Sequence, residues 1–179
     1  MKLREQKGFT LIEVIVVAGI IAILAGILVP LIFKEIDESK ISRAAADVRS
    51  ISSAMIVHKK DTGQWPVTST CNNTVTIIKG SGPLPTLGAT WDSSVFMGYD
   101  SFLNSDESGC WPTTWKGPYM ASITMDPWGH AYVTNAADYL SVSVPPSPIW
   151  IISAGPDGVL NTSTANSEAQ NDDVGLRLR

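Results

Sequence analysis

Residues 9–33 form a nearly continuous apolar run, interrupted by one carboxylate, Glu13. As a helix this run would be about 37 Å long at 1.5 Å per residue, which exceeds the hydrocarbon thickness of about 30 Å. The pattern changes at residue 34. From there to residue 60, Ile41, Ala44, Ala45, Val48, Ile51, Ser52 and Met55 recur at helical spacing. Lys34–Glu38 and Arg43–Asp47 set opposite charges four residues apart, the second pair in the less favourable order. These positions predict one helix that leaves the membrane and lays a face on a globular domain. Gly63 is placed to end it, with Pro66 close behind. His58 stands on this helix without companions and is expected at the surface.

Beyond residue 63 the helical period disappears. Residues 67–118 read as a long connecting region with one strand candidate at 75–79, followed by turn residues. "DPWG" at 126–129 is a turn, and Tyr132 begins a β-rich run. A central strand is expected over 149–153, stopped by Gly155, Pro156, Asp157 and Gly158. The resulting division is 1–8 leader, 9–33 membrane helix, 34–63 amphipathic helix and 64–179 a β-rich globular domain of α+β class. Trp91, Trp111, Trp115, Trp128 and Trp150 suit core and loop anchors better than a stacking surface.

Charge and composition narrow the function. The net charge is −4 and no basic stripe crosses the chain, which argues against nucleic-acid binding. There is no G-x-S-x-G, P-loop or H-E-x-x-H, and His58 and His130 lie far apart in sequence. Catalysis therefore has no support here. Lys2, Arg4 and Lys7 against Glu5 keep the N-terminus cytoplasmic and send the remainder across the membrane. Cys71 and Cys110 are two cysteines in a domain that would then be exported, so they are expected to pair.

Glu13 is the anomaly. A lone carboxylate inside a bilayer costs several kcal/mol unless something offsets it. A cleaved secretory signal does not fit, because its apolar region should run only about 7–15 residues and end at a small-x-small site. A plain signal anchor fits everything except Glu13.

"KGFTLIEVIVVAGIIAILAGILVP" resolves the anomaly, because it resembles the N-terminus of type IV pilins and type II secretion pseudopilins. The shared pattern is a basic leader ending in Gly8, then Phe9, then Glu13 inside the helix, followed by Pro30. "DVRSISSAMIVHKKDTGQWP" resembles the next segment of those proteins, and "WKGPYM…DPWGHAYVT" resembles their major pseudopilin. The resemblance implies a pilin-like fold, with the long helix packed on a small antiparallel sheet.

It also implies cleavage between Gly8 and Phe9 by prepilin peptidase, and methylation of the new Phe9 amine. Removing residues 1–8 takes away three basic and one acidic side chain, so the charge moves from −4 to −6. Glu13 of one copy then meets the Phe9 amine of its neighbour in a helical homo-oligomer. Pairing removes much of the burial cost and acts more as a register device than as a net source of stability. The segment before Pro30 either loses helicity on packing into the filament or is simply kinked there.

The resemblance further implies a structural calcium ion after "AGPDG". Asp157 matches the first ligand, Asp172 or Asp173 the second, and the Ala154 carbonyl a third, although the loop is longer than the family's. Asn161, Asn166 and Asn171 are further carbonyl sources that nothing in the sequence ranks. Loop carboxylates and carbonyls are the hard oxygen donors that Ca²⁺ takes. The implied protein is a single-pass inner-membrane precursor with its C-terminal domain in the periplasm. Its implied partners are minor pseudopilins and the inner-membrane assembly platform. Two readings stand beside it: a surface type IV pilus subunit, and an anchored periplasmic binding domain that never polymerises.

Overall fold

A computed structural model describes residues 8–68, 70–140 and 146–178. The basic residues of the leader, Lys2, Arg4 and Lys7, lie outside the described residues. Helix α1 runs from Leu11 to Thr62 without a break. The membrane and amphipathic segments are therefore one element, although contacts divide the chain into a unit ending at Ser39 and a unit beginning at Lys40.

In the first unit α1 stands with its apolar side chains uncovered. Ile12, Ile15, Ile23 and Ile27 are all at least 60 % exposed. This is the one helix among the described residues long and apolar enough to cross a membrane. Pro30 lies inside α1 with helix on both sides. Its ring nitrogen has no hydrogen to donate to the Gly26 carbonyl, yet the helix persists in the single chain.

In the second unit α1 buries Ala44, Val48, Ile51, Met55 and His58, a stripe at steps of three and four residues. Ile41, expected on this face, is 46 % exposed. Arg43 and Asp47 pair at 3.7 Å, as the sequence pattern predicts. Gly63 ends the helix with φ +76°, and its amide donates to the Lys59 carbonyl at 2.8 Å. A left-handed residue of this kind is the usual way to satisfy a last-turn carbonyl.

The stripe packs on a five-stranded sheet. Its strands are β1 (Ile77–Lys79), β2 (Phe96–Gly98), β3 (Val133–Asn135), β4 (Trp150–Ser153) and β5 (Val174–Arg177), in the order β2-β1-β3-β4-β5. A short helix α2 (Asp100–Leu103) follows β2, and a 3-10 turn spans Ala136–Leu140. Alternation sorts the two faces. Ile78 and Ile151 join Val48, Ile51 and Met55 in one cluster. Ile77, Val133, Trp150 and Ile152 point the other way and are covered by Trp91, Leu84, Leu87 and Leu160 from loops. Gly175 lies beside Ile152, where a Cβ would sit 2.8 Å from its Cγ1.

The sheet is mixed rather than antiparallel. β1 and β2 run parallel, while the other three pairs are antiparallel. A parallel pair needs a crossover of a dozen or more residues, and the turn-rich residues 80–95 supply it. Trp91, Trp111 and Trp150 are buried, as expected of core anchors, and Trp115 and Trp128 are half-buried.

His58 is not at the surface: it is fully buried. Its ring meets Trp111, Phe102 and Tyr119 edge-on, with centroids 4.6, 5.3 and 5.5 Å away. It belongs to the buried stripe of α1, and the packing of three aromatic rings outweighs the polarity of the imidazole.

Candidate assembly helix and loop site

Three places carry the sequence-predicted residues. The first is the start of α1. Gly8 and Phe9 precede the helix and are exposed. Thr10 opens it: its Oγ1 accepts the Glu13 amide at 3.4 Å, and its carbonyl accepts the Val14 amide at 3.4 Å. A Thr three residues before a Glu is the sequence signature of a helix N-terminus, so this cap was legible in "TLIE". Phe9, Glu13, Val14, Val17, Ala18 and Ile21 line one flank of the helix. Glu13 forms no ion pair among the described residues.

The second place is the cross-link. Cys71 and Cys110 are disulfide-bonded with Cα atoms 6.1 Å apart, within the ordinary range for such bonds. Asp106 orients one end, its Oδ1 accepting the Cys110 amide at 3.2 Å and its Oδ2 the Trp111 amide at 3.0 Å. The bridge ties down the connecting region beside the aromatic cage of His58.

The third place is the loop after β4. Ala154 is fully buried, and the chain then turns through Gly155 (φ +65°) and Gly158 (φ +68°). Asp157 is exposed, and its Oδ1 accepts the Val159 amide at 2.7 Å. The Asp157 amide donates to Asp172 Oδ2 at 3.2 Å, which brings the two acids together across the loop. Gly155 is required at this approach: a Cβ there would lie 2.3 Å from the Asp172 carbonyl oxygen and 3.0 Å from Asp172 Oδ2.

Asp173 faces elsewhere. Its Oδ2 accepts the Asn161 amide at 2.9 Å and both the amide and hydroxyl of Thr162 at 2.6 Å. Its Oδ1 is buried with no hydrogen-bond partner. Burial pushes its pKa above the usual carboxylate range and the nearby charge of Asp172 adds to this, while the Thr162 and Asn161 donors oppose it. Among the candidate carbonyl sources, the Asn161 side chain donates back to Val159, and Asn171 takes a left-handed φ of +56°. No three acidic, His or Cys side chains gather in one metal-holding group among the described residues.

The sequence reading missed two tethers of this loop. Trp91 Nε1 donates to the Thr162 carbonyl at 2.8 Å. Asp126 of the "DPWG" turn accepts the Ser153 hydroxyl at 2.6 Å, and Ser153 Oγ accepts the Gly155 amide at 3.2 Å. Nothing local in the sequence pairs these residues; only the burial of Asp126 in the fold shows that its carboxylate needs such partners.

Comparison with known proteins accounts for both ends of the chain. Residues 3–29 match the prokaryotic N-terminal methylation motif, and residues 98–172 match type II secretion system protein G. The type II secretion system core protein G of Pseudomonas aeruginosa is 28 % identical over 88 % of this chain and 89 % of its own length. That of Escherichia coli K12 is 26 % identical over 88 % of this chain and 87 % of its own. The toxin coregulated pilin of Vibrio cholerae is 30 % identical over 52 % of this chain and 42 % of its own. No solved structure gives a significant match. The chain thus carries the prokaryotic N-terminal methylation motif at one end and a type II secretion protein G domain at the other, and it is similar over most of its length to proteins named as type II secretion core protein G.

Proposed function

We propose that this chain is the major subunit of a pseudopilus, the filament that drives type II protein secretion. The observation that carries the reading is the start of α1: an uncovered apolar helix with Glu13 near its head, inside the methylation motif. The precursor sits in the inner membrane with residues 64–179 in the periplasm. Prepilin peptidase removes residues 1–8, and the Phe9 amine is methylated. The exposed apolar faces of α1 then pack against those of other copies, exchanging lipid for protein. The new amine on Phe9 of one copy pairs with Glu13 of the next, so only one axial register leaves no buried charge alone. Minor pseudopilins and the inner-membrane platform are its further partners. The family role is structural, which points away from an enzyme.

Deleting the gene tests this reading. Exported enzymes trapped in the periplasm are the expected result. Normal secretion, with surface filaments that shear into the medium, would favour a type IV pilus subunit instead, the reading that the partial likeness to the toxin coregulated pilin supports.

We also propose that the loop after β4 takes a calcium ion. The residues suit one in two respects. Asp157 and Asp172 approach each other across a turn so tight that Gly155 admits no Cβ. Asp172 in turn brings both its backbone carbonyl and its carboxylate against the same turn. Asp172, rather than Asp173, is the partner of Asp157, since Asp173 is occupied in fastening residues 161 and 162. The Ala154 carbonyl completes the proposed donor set with other loop carbonyls. Bound calcium would supply charge neutralisation and a cross-link between the two ends of the loop. A chelator should then lower the melting temperature and the protease resistance of the protein; no change in either removes calcium from the account.

A further inference from the structure

The "DPWG" turn touches the "GPDG" turn at both of its ends. At the first end, Ser153 Oγ accepts the Gly155 amide at 3.2 Å while its hydroxyl donates to Asp126 Oδ2 at 2.6 Å. At the second, the ring of His130 lies against Gly158, where a Cβ would sit 2.6 Å from Cε1 and 2.8 Å from Nε2. His130 is itself held by Asp126, whose Oδ1 accepts the His130 amide at 2.8 Å and the Trp128 amide at 3.0 Å. The Asp126 amide returns a bond to the His130 carbonyl at 2.9 Å.

One carboxylate therefore governs both contacts. Asp126 is 4 % exposed and Ser153 fully buried. An ionised group placed there is costly unless its hydrogen bonds are complete. Both of its oxygens are committed, one to its own turn and one to the end of β4. An apolar core would close these turns without that cost, but it would not fix the angle at which Gly155 leaves the strand. That angle matters because Gly155 abuts the Asp172 carbonyl and carboxylate, with Asp157 two residues further on.

We infer that Asp126, Ser153 and His130 form a clamp that holds the 155–158 turn at both ends and sets the Asp157–Asp172 spacing for cation capture. They are positioning residues and touch no cation themselves. The inference rests on the calcium reading above. Outer-shell hydrogen bonds of this kind commonly change metal affinity by about 10–100-fold.

The test uses the full chain in detergent micelles, with calcium alone as the probe, titrated calorimetrically, and melting curves recorded in chelator. Ser153→Ala should weaken calcium binding by about 10-fold or more, and the calcium-free melting temperature should fall as well, because the buried Asp126 Oδ2 loses its donor. Ser153→Thr, which keeps the hydroxyl, should recover most of the affinity. If Ser153→Ala does not fold, His130→Ala gives the same readout, because it frees Gly158 without disturbing the buried carboxylate. Wild-type affinity in whichever variant is read, or a lowered calcium-free melting temperature with affinity unchanged, would overturn the clamp and leave the calcium reading standing. A wild-type chain that binds no calcium would overturn both.

Discussion

At the scale of single residues, His58 gives the clearest physical consequence. Burial in its aromatic cage lowers its pKa from 6.5 to about 4, against the opposing pull of the Asp106 and Asp61 carboxylates. The folded chain therefore holds the neutral imidazole, and the unfolded chain takes up a proton first as pH falls. The stability this contributes is fully present above pH 6.5 and is lost as pH drops towards 4. A shift of this size corresponds to roughly 3 kcal/mol at most. In melting curves taken across that interval, His58→Phe should lose less stability than wild type. Parallel pH profiles would show that His58 binds its proton equally in the folded and unfolded chains, so that burial does not lower its pKa. The burial of His58 was legible, since it continues the stripe of Val48, Ile51 and Met55 by three residues. Reading the residue type rather than the position placed it at the surface. The same kind of local signal, "TLIE", marked the Thr10 cap.

At the scale of elements, α1 is the part the sequence describes best. Its apolar run, its charge pairs and its stop at Gly63 are all local features, and all appear in the structure. Strands of three or four residues carry too little alternation to fix their partners. The parallel pairing of β1 with β2 depends on the path of residues 80–95, which no local pattern encodes. The disulfide compensates for weak local order, closing a separation of 39 residues. Replacing both cysteines by serine should cost about 3–4 kcal/mol by the chain-entropy argument, measured by denaturant unfolding. An unchanged midpoint would mean the connecting region is held by packing alone. For α1 itself, Glu13→Ala should still insert and be cleaved, yet assemble poorly when filaments are sedimented. Normal polymerisation would refute the pairing of Glu13 with a neighbour's Phe9 amine.

At the scale of the whole molecule, the two units answer to different surroundings. In the unit up to Ser39 the described apolar side chains of α1 are exposed, and in the proposed function lipid or other copies would cover them. The unit from Lys40 buries a two-sided sheet and carries the cross-link and the loop. The sequence could not decide between Asp172 and Asp173, because adjacent residues differ only in which way they face once β5 is paired. The fold separates them, Asp172 towards Asp157 and Asp173 towards Thr162. The clamp by Asp126 and Ser153 was equally invisible, since 27 residues separate its members. The central claim, that this helix is a processed assembly element and not a plain anchor, meets its most direct test in the mass of the N-terminal peptide of the chain isolated from membranes. The account predicts a chain that begins at N-methylated Phe9, with residues 1–8 removed. A chain in wild-type cells that still begins at Met1 would contradict it.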